Sequence, residues 1–200
     1  MRNEPAFRRS EPDARRQSLI EACARVLAKA GANGASVRAV AAEAGVSAGL
    51  VGHYFAGIDG LVSETYDHVG ALVDAALEQA VAATEGPRAR LEAFVTASFR
   101  PPIADRHLLA TWIAFWSLVT SRSEIAQRHD EQYASFRGRI EGLLADCGIS
   151  TQKQRNAAIA ITALVDGLWL ELCLSPGCFS PDEAAAIACE QLATITAMNG

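Results

Sequence analysis

Three aromatic side chains, Trp112, Phe115 and Trp116, stand at i, i+3 and i+4, so a helix through them carries all three on one stripe. Asp166 and Trp169, at i and i+3, share a helical face in the same way. Aromatic rings beside a carboxylate suit a permanent cation that has no proton to donate. Each ring face attracts such a cation by roughly 0.5–2 kcal/mol, and the carboxylate supplies the opposite charge. Choline or a related quaternary ammonium is therefore one reading of these five residues. The other is structural: an aromatic stripe at helical spacing is more often core than pocket. Gly167 would then let two helices pack closely between copies of the chain, with Asp166 bonded to a backbone group or an arginine.

Other chemistry finds less support. No nucleophile–base pair and no metal-ligand spacing stands out, and Asp166 or Glu171 alone is an ordinary structural carboxylate, so a helical enzyme with a deep pocket is the weaker alternative. The five cysteines, Cys23, Cys147, Cys173, Cys178 and Cys189, are odd in number and contain no Cys-x-x-Cys pair. They read as reduced thiols of a cytoplasmic protein. The four histidines are scattered, which argues against zinc. No cofactor is expected.

A second constellation lies at residues 45–55, GVSAGLVGHYF. Two glycines inside a short helix each cost about 1 kcal/mol relative to alanine. Two short helices joined by Gly45-Val46-Ser47 form a helix-turn-helix, with Val37, Val40, Ala41, Val46, Val51 and Phe55 locking their angle. The second helix then presents Ser47, Ala48, Gly49, Gly52 and His53, with Tyr54 beside them. Small residues let a helix sit deep in the major groove of DNA, and Ser47 brings a hydroxyl and free amides near phosphate. Ser36, as the cap of the first helix, and Arg38 complete the expected DNA face. The alternative is a tight helical hairpin, used as a partner surface, whose glycines only relieve a packing clash.

Charge agrees with a polyanion at one end. Residues 1–56 hold eight Arg/Lys against five Asp/Glu, whereas the remainder holds ten against eighteen. A basic end on an acidic body fits a nucleic-acid partner, although a chance imbalance on solvated surfaces reads the same way.

The elements that must position these groups are all helical. Alanine, leucine and charged residues dominate, and apolar positions repeat at i, i+3 and i+4. Residues 1–12, with Pro5 and Pro12, read as a flexible basic arm. Asp13 caps a helix ended by Gly31, and Ser36 caps a helix over 37–44. Ser47 caps a third helix to Phe55, and a fourth runs over 58–84. Gly86-Pro87 marks a boundary, followed by helices near 88–99, 103–121, 123–147, 151–174 and 181–198. The organisation expected is thus a three-helix DNA-binding domain over 13–57 and a ligand-binding and dimerisation domain over 58–200. Residues 157–174 are nearly long enough to span a bilayer, but Asp166 and Glu171 make a buried helix the better reading, so no membrane partner is expected. Dimerisation is expected through the last two helices, 151–174 and 181–198, with apolar faces such as Ala184, Ile187, Ala188, Leu192 and Ile195 packing into a four-helix bundle with a second copy.

Residues 14–66 resemble the DNA-binding domain of TetR-family regulators through SVRAVAAEAGVSAGLVGHYFAGIDGL, Ser36 to Leu61. The second half is similar to the choline-responsive BetI branch of that family through TWIAFW at 111–116 and ALVDGLWL at 163–170. The resemblance implies a homodimeric repressor on double-stranded operator DNA, released when a small-molecule inducer binds the C-terminal domain. Two departures stand out. Ile58 occupies the place where the family usually has a phosphate-binding lysine, and Gly52 stands where an aromatic is common. Phosphate contacts then fall to Arg38, Arg8, Arg9, Arg15 and Arg16, or to helix-end amides.

Overall fold

The computed structural model describes residues 7–199, with side chains described over 12–197. Nine helices and no strands occur among the described residues: α1 (Phe7–Gly34), α2 (Val37–Ala44), α3 (Ala48–Tyr54), α4 (Gly57–Ala82), α5 (Pro87–Ala97), α6 (Arg106–Val119), α7 (Ser123–Asp146), α8 (Thr151–Leu174) and α9 (Pro181–Asn199). The all-helical expectation is met, and the boundaries after Gly86 follow the Gly and Pro punctuation closely.

The first helix differs from expectation at both ends. It begins at Phe7 and runs through Pro12, so Asp13 lies inside it and caps nothing. Pro12 is the sixth residue of this helix, so its missing N–H forfeits one backbone bond, within the second turn. Of the expected arm, residues 1–6 lie outside the described residues. At the other end Gly31, at φ 64° and ψ −174°, breaks the helix, and a short turn continues to Gly34. Ser36 caps α2 by accepting a bond from the Ala39 N–H at 3.2 Å. Gly45 adopts the left-handed conformation at φ 67°, which a side chain would strain, and this turns the chain from α2 into α3. Ser47 sits at the N-cap position of α3 without making a side-chain cap bond, so its hydroxyl is not spent on its own helix.

Leu19, Cys23, Val40, Val51, Phe55 and Leu61 form one apolar core under α1–α4. It is continuous with that of the larger bundle through Tyr66, Phe115 and Trp112. α1 packs along α6 as well as against α2 and α4. At the α1–α6 contact the Thr111 hydroxyl shares its one proton between the His107 carbonyl of its own helix at 2.8 Å and the Ala24 carbonyl at 3.2 Å. Ion pairs bind α4 to α7 at three successive levels: Asp59 with Arg122, Asp67 with Arg128, and Asp74 with Arg139.

The α9 residues expected to face a second copy mostly do not. Ala184, Ala188 and Leu192 are fully buried within the chain, because α9 turns its small-residue face onto α5 and α8. Among the described residues the exposed large apolar groups are Ile187 on α9, Ile159, Leu170 and Leu174 on α8, and Leu72 on α4. α8 is also long and apolar enough to cross a membrane by composition alone.

Candidate DNA interface and ligand cavity

Ser36, Arg38, Ser47, Ala48, Gly49, Gly52 and His53 are all exposed, and Tyr54 is half-buried. Val51, the inward residue of α3, is fully buried and fixes which face points out. The His53 and Tyr54 rings meet edge to face at 5.2 Å, and Tyr54 leans on Phe55. A Cβ added at Gly52 would meet nothing within 4 Å, and one at Gly49 would only reach the Ser47 hydroxyl at 4.0 Å. Intramolecular packing therefore does not require either glycine, and the clash-relief explanation falls. What remains is a flat, small-residue helix face open to an external partner.

The basic residues divide. Arg25 and Lys29 are both spent on Glu43, pinning α1 to α2. Arg16 pairs with Glu64 and lies over the Phe55 ring at 5.4 Å, so it braces α1, α3 and α4 while remaining exposed. Arg38 is exposed with no ion pair among the described residues. The side chains of Arg8 and Arg9 lie outside those described. Ile58 is half-buried against the core, which suits an apolar residue and not the lysine usual there.

In the larger bundle, α4, α6, α7 and α8 enclose a cavity of about 50 Å³. Trp112, Asp166 and Trp169 line it, together with Asp74, Gln132, Tyr133, Phe136 and small apolar groups. The two indoles are tilted at 46° to each other with centroids 6.4 Å apart. Trp169 is fixed by donating its N–H to the Ser98 carbonyl at 2.8 Å. Tyr133 donates its hydroxyl to Asp166 at 3.1 Å. Burial pushes Asp166 up to about 6, with the Tyr133 bond and Arg137 pulling it partly back. Burial and the neighbouring Asp166 charge raise the Tyr133 phenol, so it stays protonated and remains a donor. The buried Trp112 indole N–H and Gln132 Oε1 find no partner among the described residues.

Phe115 and Trp116 do not line this cavity. One helical stripe is wide enough to serve three neighbours, and here it does. Phe115 is turned toward α4, against Tyr66 at 4.9 Å, and is fully buried there. Trp116 is half-buried beside Tyr133, where its indole works against the rise of the phenol. Conversely, Asp74, Gln132, Tyr133 and Phe136 were missed. His129, Tyr133 and Phe136 fall at i, i+4 and i+7, and that aromatic stripe on α7 was the signal available.

Residues 19–65 match the family model of bacterial regulatory proteins of the tetR family, and residues 87–197 match that of the BetI-type transcriptional repressor C-terminal domain. The chain belongs to the TetR family, in its BetI-type branch. A BetI regulator of Burkholderia thailandensis is 35% identical over 87% of this chain and 89% of its own length. One from Burkholderia cenocepacia is 37% identical over 82% and 84%. Among solved structures, a transcriptional regulator of Pseudomonas aeruginosa PAO1 superposes with a TM-score of 0.85 at 39% identity, covering 98% and 97% of the two chains. A Saccharomonospora viridis regulator, solved in complex with choline, shares the fold at a TM-score of 0.81 and 19% identity, over 92% and 97%. These matches make this TetR-family chain a transcriptional regulator and not an enzyme. Regulators of the family bind DNA and small molecules and usually act as dimers.

Proposed function

We propose that this BetI-type regulator is a cytoplasmic, homodimeric repressor that binds a near-palindromic operator and releases it when a quaternary ammonium enters the cavity. The observation that carries the ligand class is the lining: two indoles, a phenol and two carboxylates, with no lysine, arginine or histidine among them. A cation gains ring faces and opposite charge there, while an anion meets only repulsion. The unpartnered Trp112 N–H and Gln132 Oε1 favour a ligand that also carries a hydroxyl, which both accepts and donates. Choline has both parts.

Residues up to about 57 would carry the DNA-reading unit. α3 would enter the major groove through Ala48, Gly49, Gly52 and His53, with Ser36, Arg38, Ser47 and Tyr54 toward the backbone. The apolar stripe of Ile159, Leu170 and Leu174 on α8, with Ile187 on α9, would meet its copy across a twofold axis. Gly167 lies on the same exposed face of α8, where nothing in the chain approaches its Cβ direction, leaving room for a close helix crossing.

The test is calorimetry of the full-length protein with choline, betaine aldehyde and glycine betaine, alongside operator release. Binding of choline with loss of operator affinity is expected. No heat with any of the three at millimolar concentration would remove the cation, leaving the same repressor with an apolar or differently charged inducer.

A further inference from the structure

Asp166 is the carboxylate that the sequence singles out, but the lining holds a second one. Asp74 comes from α4, the helix whose other end supports the DNA-reading unit. It is held by Arg139 of α7 at 3.0 Å. The Asp74 side chain is 40% exposed and that of Arg139 24%, so the pair stands where the cavity approaches solvent. Arg139 itself does not line the cavity. Its guanidinium lies over the Phe94 ring at 4.9 Å and faces a separate groove on the other side, lined also by Glu78, Arg90 and Asp146.

Asp74 therefore has one charge to give and two directions in which to give it. Facing the cavity it meets the proposed ligand; facing the groove it meets Arg139. The same groove holds two further carboxylates to which Arg139 could turn, Glu78 one turn along α4 and Asp146 two turns along α7. Burial already raises Asp74 despite the arginine, so the existing pair does not fully offset the desolvation of its carboxylate.

We propose that Asp74 is a ligand-recognition residue, and that a cation in the cavity takes this carboxylate in exchange for Arg139. The proposal rests on the cation reading above and adds to it the residue through which occupancy reaches α4. Breaking Asp74–Arg139 removes the uppermost of the three ion pairs that hold α4 to α7, while Asp59–Arg122 and Asp67–Arg128 remain nearer the DNA-reading unit.

The experiment is calorimetric titration of the full-length wild type, Asp74→Asn and Arg139→Met with choline and with its neutral isostere 3,3-dimethylbutanol. A cation that displaces Arg139 predicts opposite signs: Asp74→Asn weakens choline binding about tenfold, and Arg139→Met tightens it by removing the competitor. The neutral isostere is expected to bind all three proteins alike. If both variants weaken choline, the pair is only a structural brace and the exchange is overturned. If neither moves it, Asp74 does not meet the ligand. If the wild type binds no cation at all, the cation reading fails first and this inference with it.

Discussion

Tyr133 on α7 donates its hydroxyl to Asp166 on α8 at 3.1 Å, and both side chains line the cavity. The bond joins the two helices and aims one carboxylate oxygen, leaving the other for a ligand. Its energetic sign depends on pH. Burial raises Asp166 from 3.8 to about 6, so the unfolded chain ionises this group first. Rising pH therefore costs the native state stability between about 4 and 6, and the penalty is complete above that window. Asp166→Asn keeps an acceptor for Tyr133 and removes the charge. It is expected to stabilise the free protein above pH 6, by at most about 3 kcal/mol, with no gain near pH 4. Thermal unfolding across pH 4–8 measures this.

Cation binding is expected to run the other way. Wild-type affinity should fall as pH drops through about 6, where Asp166 takes up a proton. In Asp166→Asn the affinity is low throughout and that step is lost. Titration at pH 5.5 and 7.5 is sufficient. An affinity unchanged between the two would show that the Asp166 charge plays no part.

The aromatic residues are expected to separate into two grades. Trp169→Ala removes a wall and frees the Ser98 carbonyl from its donor, so choline binding should fall by tenfold or more. Trp116→Phe leaves the cavity wall intact and alters only what stands beside Tyr133. It should cost no more than a few-fold in affinity, since Trp116 does not line the cavity. Tryptophan emission and calorimetry read both. Equal losses would place Trp116 against the ligand after all.

Much of this was legible in the sequence, and the rest was hidden for specific reasons. Glycine and proline mark many of the helix ends, though not the α6–α7 junction, because left-handed turns and missing N–H groups are local properties of the chain. Trp112, Asp166 and Trp169, grouped by helical spacing, do line one cavity, but spacing says what shares a face and not what that face meets. Phe115 failed on that distinction, since its side of α6 meets Tyr66. The α9 alanines failed for the same reason, since a small-residue face packs as well on α5 and α8 as on a second copy. Tyr133 and Gln132 were missed because α7 is rich in charge and its short aromatic stripe does not dominate the helix. No local pattern joins Asp74 to Arg139 across 65 positions.

The α3 glycines give a sharp test. Since Gly52 faces open space, Gly52→Ala should leave thermal stability unchanged or slightly raised, by at most about 1 kcal/mol, from helix propensity alone. Gly52→Leu should also fold but lose operator binding, through exclusion from the groove. Arg38→Ala should weaken binding to all duplexes alike and flatten its salt dependence. Anisotropy titrations at several salt concentrations separate the two effects. A Gly52→Leu protein that binds operator normally would move the DNA contact off this face.

Ligand and DNA must also be coupled, and the fold offers two connections. α4 has 26 residues, about 39 Å at 1.5 Å per residue, and reaches from the DNA-reading unit past the cavity. The second is α6, which lies along α1 with the Thr111 hydroxyl bonded to the Ala24 carbonyl at 3.2 Å, one residue from the cavity-lining Trp112. Thr111→Val preserves side-chain shape and removes that bond. If α6 carries part of the signal, this variant binds choline and operator separately with near wild-type affinity, but choline weakens operator binding by a smaller factor. A change of about 0.5–2 kcal/mol in coupling is the size expected of a residue on such a connection. Linkage supplies an internal control: the factor by which choline weakens operator binding must equal the factor by which operator weakens choline binding, in the variant as in the wild type. Measuring the cycle in both directions fixes the coupling without assuming a mechanism. An unchanged coupling in Thr111→Val would leave α4 as the carrier, and the same cycle on Asp74→Asn would then be the decisive measurement.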